Sequence, residues 1–197
     1  MHLLRKIRVF YFNSRLIVVT FCAKYVNMAD ANILNAPRTA ASAQFLREAE
    51  IRRGIELLYF GYTNMVRGAD ELLDRHGLGR AHHRALYFIA RRPAMPVGDL
   101  LALLNITKQS LSRVLADLQT QGLVVQSVGQ RDRRQRLLSL TQSGAALEAT
   151  LFEALRTGMA SAYAQAGQNA VTGFWAVLNG LIPVADRAMI QDLQGGL

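Results

Sequence analysis

A single interruption in the hydrophobic rhythm constrains this chain more than any other feature. From about Gln44 onward, apolar residues recur every three or four positions, the spacing of an amphipathic helix. Between Leu123 and Leu140 the rhythm gives way to two short runs of extended character, Leu123–Val128 and Arg136–Leu140. The charged tip Gly129-Gln-Arg-Asp-Arg-Arg134 separates them. This order describes a mainly α (α+β) fold in which helices carry one two-stranded hairpin.

The helical segments have clear ends. Ile51, Ile55, Leu58, Tyr62, Met65, Ala69 and Leu72 fall on one face of a long helix over about 44–75, which the first glycine of His76-Gly77-Leu78-Gly79 stops. A second helix covers 80–91 and ends at Arg91-Arg-Pro93; Pro96 opens a short third over 97–104. After the turn Asn105-Ile106-Thr107, the Thr107 hydroxyl is placed to cap a fourth helix, 108–121. Leu111, Val114, Leu115 and Leu118 stand at i, i+3, i+4 and i+7 of that helix, which gives it one buried face. A fifth helix runs from Thr141 to about Ala166. After Gly167 a sixth keeps helical spacing from Val171 through Trp175 and Ile182 to Met189.

Charge adds a location. Of 197 residues, 23 are Lys or Arg and 14 are Asp or Glu, a formal net charge of +9. Residues 1–28 hold five basic residues and no acid, while 104–136 hold six basic residues against Asp117 and Asp132, a surplus of four. Those two stretches account for the whole excess, so the body carries one localised basic patch suited to a phosphate polymer. The basic start with an apolar middle superficially resembles a secretory signal. Its longest uncharged run, Leu16–Ala23, is far too short to span a bilayer. We read Met28 as the working start and 1–43 as an extension and loose arm. Cys22, the only cysteine, excludes a disulfide framework.

Helices at 97–104 and 108–121 joined by a three-residue turn form a helix-turn-helix, whose second helix can enter a major groove. Lys108, Gln109, Ser110, Ser112 and Arg113 lie at its N-terminal end, where polar side chains reach base edges. The adjacent hairpin tip brings Arg131, Arg133, Arg134 and Arg136 within reach of phosphates or a narrow minor groove. Leu118-x-x-x-Gly122-Leu-Val, Asp132-Arg-Arg-x-Arg136 and Leu140-Thr-x-x-Gly144 resemble the multiple-antibiotic-resistance-regulator (MarR) family of winged helix-turn-helix proteins. Arg47–Gly54 and Gly79–Arg84 are similar to a proteobacterial subgroup of that family.

The resemblance implies a domain over 44–190, with a winged helix-turn-helix at 97–141 and dimerisation helices at 44–75 and 142–190. It implies a homodimeric, ligand-responsive repressor on pseudo-palindromic double-stranded DNA, working in the cytoplasm. It also implies that Arg134 enters the minor groove while Asp132 braces the wing. Gln126 departs from the pattern, standing where many members carry arginine.

Candidate ligand-binding residues for a small-molecule effector are Tyr59, Tyr62, His82, His83 and Tyr87, near the first and second helices. Core packing is the plainer reading of the aromatics, and surface or dimer contact that of the histidines. No Cys, Asp or Glu joins the histidines at ligand spacing, so neither metal nor cofactor is expected. Nucleophile-elbow, Walker and His-Glu-x-x-His patterns do not occur, which argues against an enzyme. The competing reading is a helical interaction or membrane-peripheral protein that uses its basic N-terminus.

Overall fold

The computed structural model describes residues 10–12, 15–17, 42–130 and 132–194. The chain divides into two units, Met1–Ser42 and Ala43–Leu197. In the first, Phe10–Phe12 (β1) and Arg15–Ile17 (β2) pair antiparallel, with Phe10 opposite Ile17. Residues 1–9, 13–14 and 18–41 of the expected arm lie outside the described residues, as does Arg131 of the wing.

The second unit begins with a 3-10 turn, Ala43–Leu46, and the 28-residue helix α1, Glu48–Arg75. Glu48 and Glu50 stand in its first turn, where carboxylates complement the helix dipole. At its other end Gly77 adopts φ +65°. The Leu78 amide then donates to Leu73 O and the Gly77 amide to Asp74 O, which satisfies the last carbonyls. Helix α2, Arg80–Arg91, buries Ala85, Leu86 and Ile89. Helix α3, Val97–Leu104, buries Leu100 and Leu104 and stops at Asn105, whose φ of 48° lies in the left-handed region.

Helix α4, Lys108–Thr120, has the cap read from the sequence: the Ser110 amide donates to Thr107 Oγ1 at 3.1 Å. Leu111, Val114, Leu115 and Leu118 are all buried, and Gly122, at φ +66°, closes the helix as Gly77 closes α1. The hairpin consists of β4, Val124–Val128, and β5, Arg136–Leu140, with Val124 opposite Leu140 and Val128 opposite Arg136.

Two sequence expectations are corrected. The sheet has three strands, because Met95–Pro96 (β3) pairs with the free edge of β5, Met95 opposite Leu138. Two residues are too few to leave a period in a sequence. The sixth helix is two helices, α6 (Gln168–Leu181) and α7 (Val184–Gln194), following α5 (Gln142–Ala166). Pro183 divides them: it lacks an amide hydrogen and forces the residue before it out of helix, so Ile182 takes ψ 125°.

Within the single chain the apolar stripe of α1 is covered along only part of its length. Val66, Ala69 and Leu73 join the core, where α1 packs on α5 and Gly68 meets Ala154. Ile51, Ile55, Leu58 and Tyr62 remain between 45% and 63% exposed within the single chain. On α6, Phe174 and Trp175 are likewise part-exposed, with Trp175 Nε1 donating to the Tyr163 hydroxyl at 2.9 Å.

The core lies where α2, α3, α4 and β5 converge on the C-terminal part of α1 and the first turns of α5. Leu73, Leu86, Leu100, Leu118, Leu138 and Leu151 are each buried to 1% exposure or less. It therefore serves as the mount on which α4 and the hairpin are fixed.

Candidate nucleic-acid interface

Burial on one side of α4 decides what the other side can present. With Leu111, Val114, Leu115 and Leu118 pinned in the core, Lys108, Gln109, Ser110, Ser112 and Arg113 are all exposed. No acid occupies the first turn, so the partial positive charge of the helix end adds to that of Lys108. The Ser110 hydroxyl lies 2.9 Å from Thr107 Oγ1, so it belongs in part to the cap.

The wing is a closed turn. The Gly129 amide donates to Gln135 O at 3.1 Å and the Gln135 amide to Asp132 O at 3.0 Å. Asp132 Oδ1 accepts the Arg134 amide at 2.9 Å, an Asx-type turn. A Cβ at Gly129 would lie 2.7 Å from Asp132 O, so the return of the chain requires glycine there. Asp132 is thus occupied with backbone, and Arg133, Arg134 and Arg136 are exposed with no ion pair among the described residues. Gln126, on the flank of the hairpin, accepts from Gln119 Nε2 at 3.2 Å, tying β4 to α4.

Arg91 and Arg92, at the end of α2, have partners within the fold. Arg92 pairs with Asp99 at 2.8 Å, and Arg91 donates to Leu193 O of α7 at 2.6 Å.

Of the five candidate effector residues, Tyr87 alone lines either of the two concavities described below. Tyr59 is 64% exposed and meets Phe60 edge-on, on the uncovered half of α1. Tyr62 lies under the Arg80 guanidinium at 5.9 Å, and Arg80 is itself held by Asp70 at 2.6 Å. The Asp70 hydrogen bond holds Arg80 above the ordinary arginine value. His82 has a structural partner on each ring nitrogen: Nδ1 accepts the Gly79 amide at 3.0 Å and Nε2 meets Asp117 Oδ2 at 3.1 Å. His83 is buried, and burial pushes its imidazole below the ordinary value against the opposing charge of Asp70, which favours the neutral ring. The placement of His83 departs from the surface or dimer-contact reading, because its position on α2 faces the core alongside Leu86. Tyr87 borders a small recess with Phe88, Arg91, Ile190 and Leu193.

The sequence did not point to the larger concavity. An open groove of about 670 Å3 runs between α2–α3 and α6–α7, with Phe88, Leu103, Leu178, Ile182 and Met189 among its walls and Asn105 and Asp186 as polar lining. Its one sequence signal is Pro183, which breaks the C-terminal helix and turns α7 back toward α2. Among the described residues no helix is long and apolar enough to cross a membrane, and no three His, Cys, Asp or Glu side chains gather as a metal site.

The arrangement has relatives. The model of the MarR family matches residues 76–135, from the end of α1 to the wing. The HTH-type transcriptional regulator PetP of Rhodobacter capsulatus is 47% identical over 150 residues, 76% of this chain and 90% of PetP. A MarR-family transcriptional regulator from Silicibacter pomeroyi superposes with a TM-score of 0.58 at 22% identity, over 74% of this chain and 98% of that one. A mutant MarR from Escherichia coli, solved in complex with operator DNA, superposes at 0.55 and 21% identity, over 68% of this chain and 96% of its own.

Proposed function

The chain belongs to the MarR family of DNA-binding transcriptional regulators, and we propose that it is a sequence-specific homodimeric repressor working in the cytoplasm. In this reading α4 of each protomer lies in the major groove of one half-site of a pseudo-palindromic operator. The wing follows the backbone, with Arg134 directed into the adjacent minor groove. The observation that carries it is the pairing of an exposed polar α4 end, Lys108 to Arg113, with a wing whose arginines have no internal ion-pair partner among the described residues. Dimerisation draws support from the exposed apolar stripes on α1 and α6. Ligand response draws support from the groove against α3, where an apolar effector would shift α3 and with it α4.

Site selection from random duplexes, followed by fluorescence titration on the enriched sequence, tests this directly. Two reading heads that together neutralise about eight phosphates give a slope of log affinity against log salt of about −7. Failure to enrich any duplex rejects the reading. Arg134→Ala is expected to weaken binding roughly tenfold, and Arg113→Ala to change base preference as well as affinity. Wild-type affinity in Arg134→Ala removes the wing assignment. Deleting residues 1–27 leaves operator binding intact in this reading, whereas the alternative expects a membrane attachment that vanishes with those residues.

A further inference from the structure

We propose that His82 is a positioning residue for the recognition helix, locked in one tautomer as a strut between α2 and α4; the inference rests on α4 being the DNA-reading element. The tautomer follows from the partners. The Gly79 amide can only donate, so His82 Nδ1, 3.0 Å away, carries a lone pair. The proton of the neutral ring is then on Nε2, aimed at Asp117 Oδ2 at 3.1 Å. The ring is nearly enclosed, its side chain 15% exposed, while the Asp117 side chain is 60% exposed. One imidazole therefore caps the first turn of α2 and grips the last turn of α4.

Two further polar contacts complete a triangle. Arg80 of α2 holds Asp70 of α1 through three hydrogen bonds of 2.6–3.1 Å. Gln121, the residue capping α4, donates from Nε2 to His76 O at the end of α1 at 3.3 Å. Helices α1, α2 and α4 are thus tied pairwise, each pair by its own side chain. Apolar packing on Leu111, Val114, Leu115 and Leu118 sets which face of α4 is buried, and the strut adds a directional polar restraint on the opposite, exposed side. Asp117 lies one turn beyond Arg113 on the same stripe, at i and i+4. Fixing Asp117 from outside the helix fixes the direction in which Arg113 and, a further turn away, Gln109 project. The strut thereby ties the azimuth of the reading side chains to α1, the frame the two protomers would share.

The test separates hydrogen bonding from charge. Asp117→Asn and Asp117→Leu remove the same negative charge beside DNA, but only asparagine keeps an acceptor for Nε2–H. With His82 present, the leucine variant is expected to bind operator about fivefold more weakly than the asparagine variant. With His82→Ala in the background, the two are expected to bind equally. Nitrogen-15 NMR of the wild-type protein should show the lone pair of His82 on Nδ1 and the proton on Nε2. Equal affinity of the two Asp117 variants in the His82 protein overturns the strut, as does an Nδ1-protonated neutral ring. Arg134→Ala and Lys108→Ala serve as controls for the underlying reading. If they too bind like wild type, α4 and the wing are not the reading head and the proposal falls with them.

Discussion

Gly144→Ala is expected to lower the thermal midpoint by about 6–12 °C, the shift for about 3 kcal/mol in a chain of this length. The cause is a crossing of two backbones. Where α5 begins, a Cβ on residue 144 would fall inside the contact radius of Leu123 O and 2.9 Å from its carbonyl carbon. The neighbour is backbone at the entry to β4, so it cannot step aside as a flexible side chain would. Thr141 explains why the approach is so close. Its amide donates to Leu123 O at 3.0 Å, its hydroxyl donates to Gly122 O at 2.7 Å, and the same oxygen accepts the Gly144 amide at 3.0 Å. The Leu-Thr-x-x-Gly pattern is therefore a cap stitched to the base of the hairpin, and opening it loosens wing and α5 together. Gly98→Ala is the matched control: Gly98 stands in the first turn of α3 with nothing within 4 Å of an added methyl, so that substitution should be neutral to stabilising by about 0.5 kcal/mol. Calorimetry that places both variants within a degree of wild type sinks the explanation.

The contrast between these glycines shows what was legible in the sequence. Thr107, Gly77 and Gly122 act on residues within a turn of themselves, so their roles as caps could be read from spacing alone. The buried face of α4 was equally plain, because four leucine and valine positions suffice to define a stripe. Gly144 was visible as part of a pattern, but its crowding by Leu123 depends on a contact 21 residues back. The strut between His82 and Asp117 spans 35 residues and joins two polar side chains, for which hydrophobic periodicity has no signal. The same gap explains the effector residues. Tyr59, Tyr62 and Tyr87 have helical spacing, yet spacing does not say which element covers them. Pro183 was a local signal that a continuous apolar rhythm from Val171 to Met189 masked. The groove that its break creates was hidden with it.

Ile55→Glu combined with Leu58→Glu is expected to convert the protein to a monomer and reduce operator affinity more than 100-fold. Within the single chain Ile51, Ile55 and Leu58 are 48%, 63% and 45% exposed, and on α6 Val177 and Leu181 are each 65% exposed. Contiguous apolar stripes of this length seldom face water on soluble monomers, and they continue the same faces that are buried nearer the core. Two carboxylates placed there cost little in a monomer, where both sites are wet. In a dimer each must be dehydrated against an apolar partner, a penalty of several kcal/mol per charge. Sedimentation should therefore show the wild type at twice the 21.8 kDa of one chain and the variant at one. The loss of DNA binding follows from linkage: two covalently independent heads forfeit the effective concentration that a shared frame supplies, a factor of about 10²–10⁴. A variant that stays dimeric removes α1 from the interface. A variant that becomes monomeric yet holds the operator as tightly as wild type removes the two-half-site arrangement instead, because a single α4 and wing would then suffice.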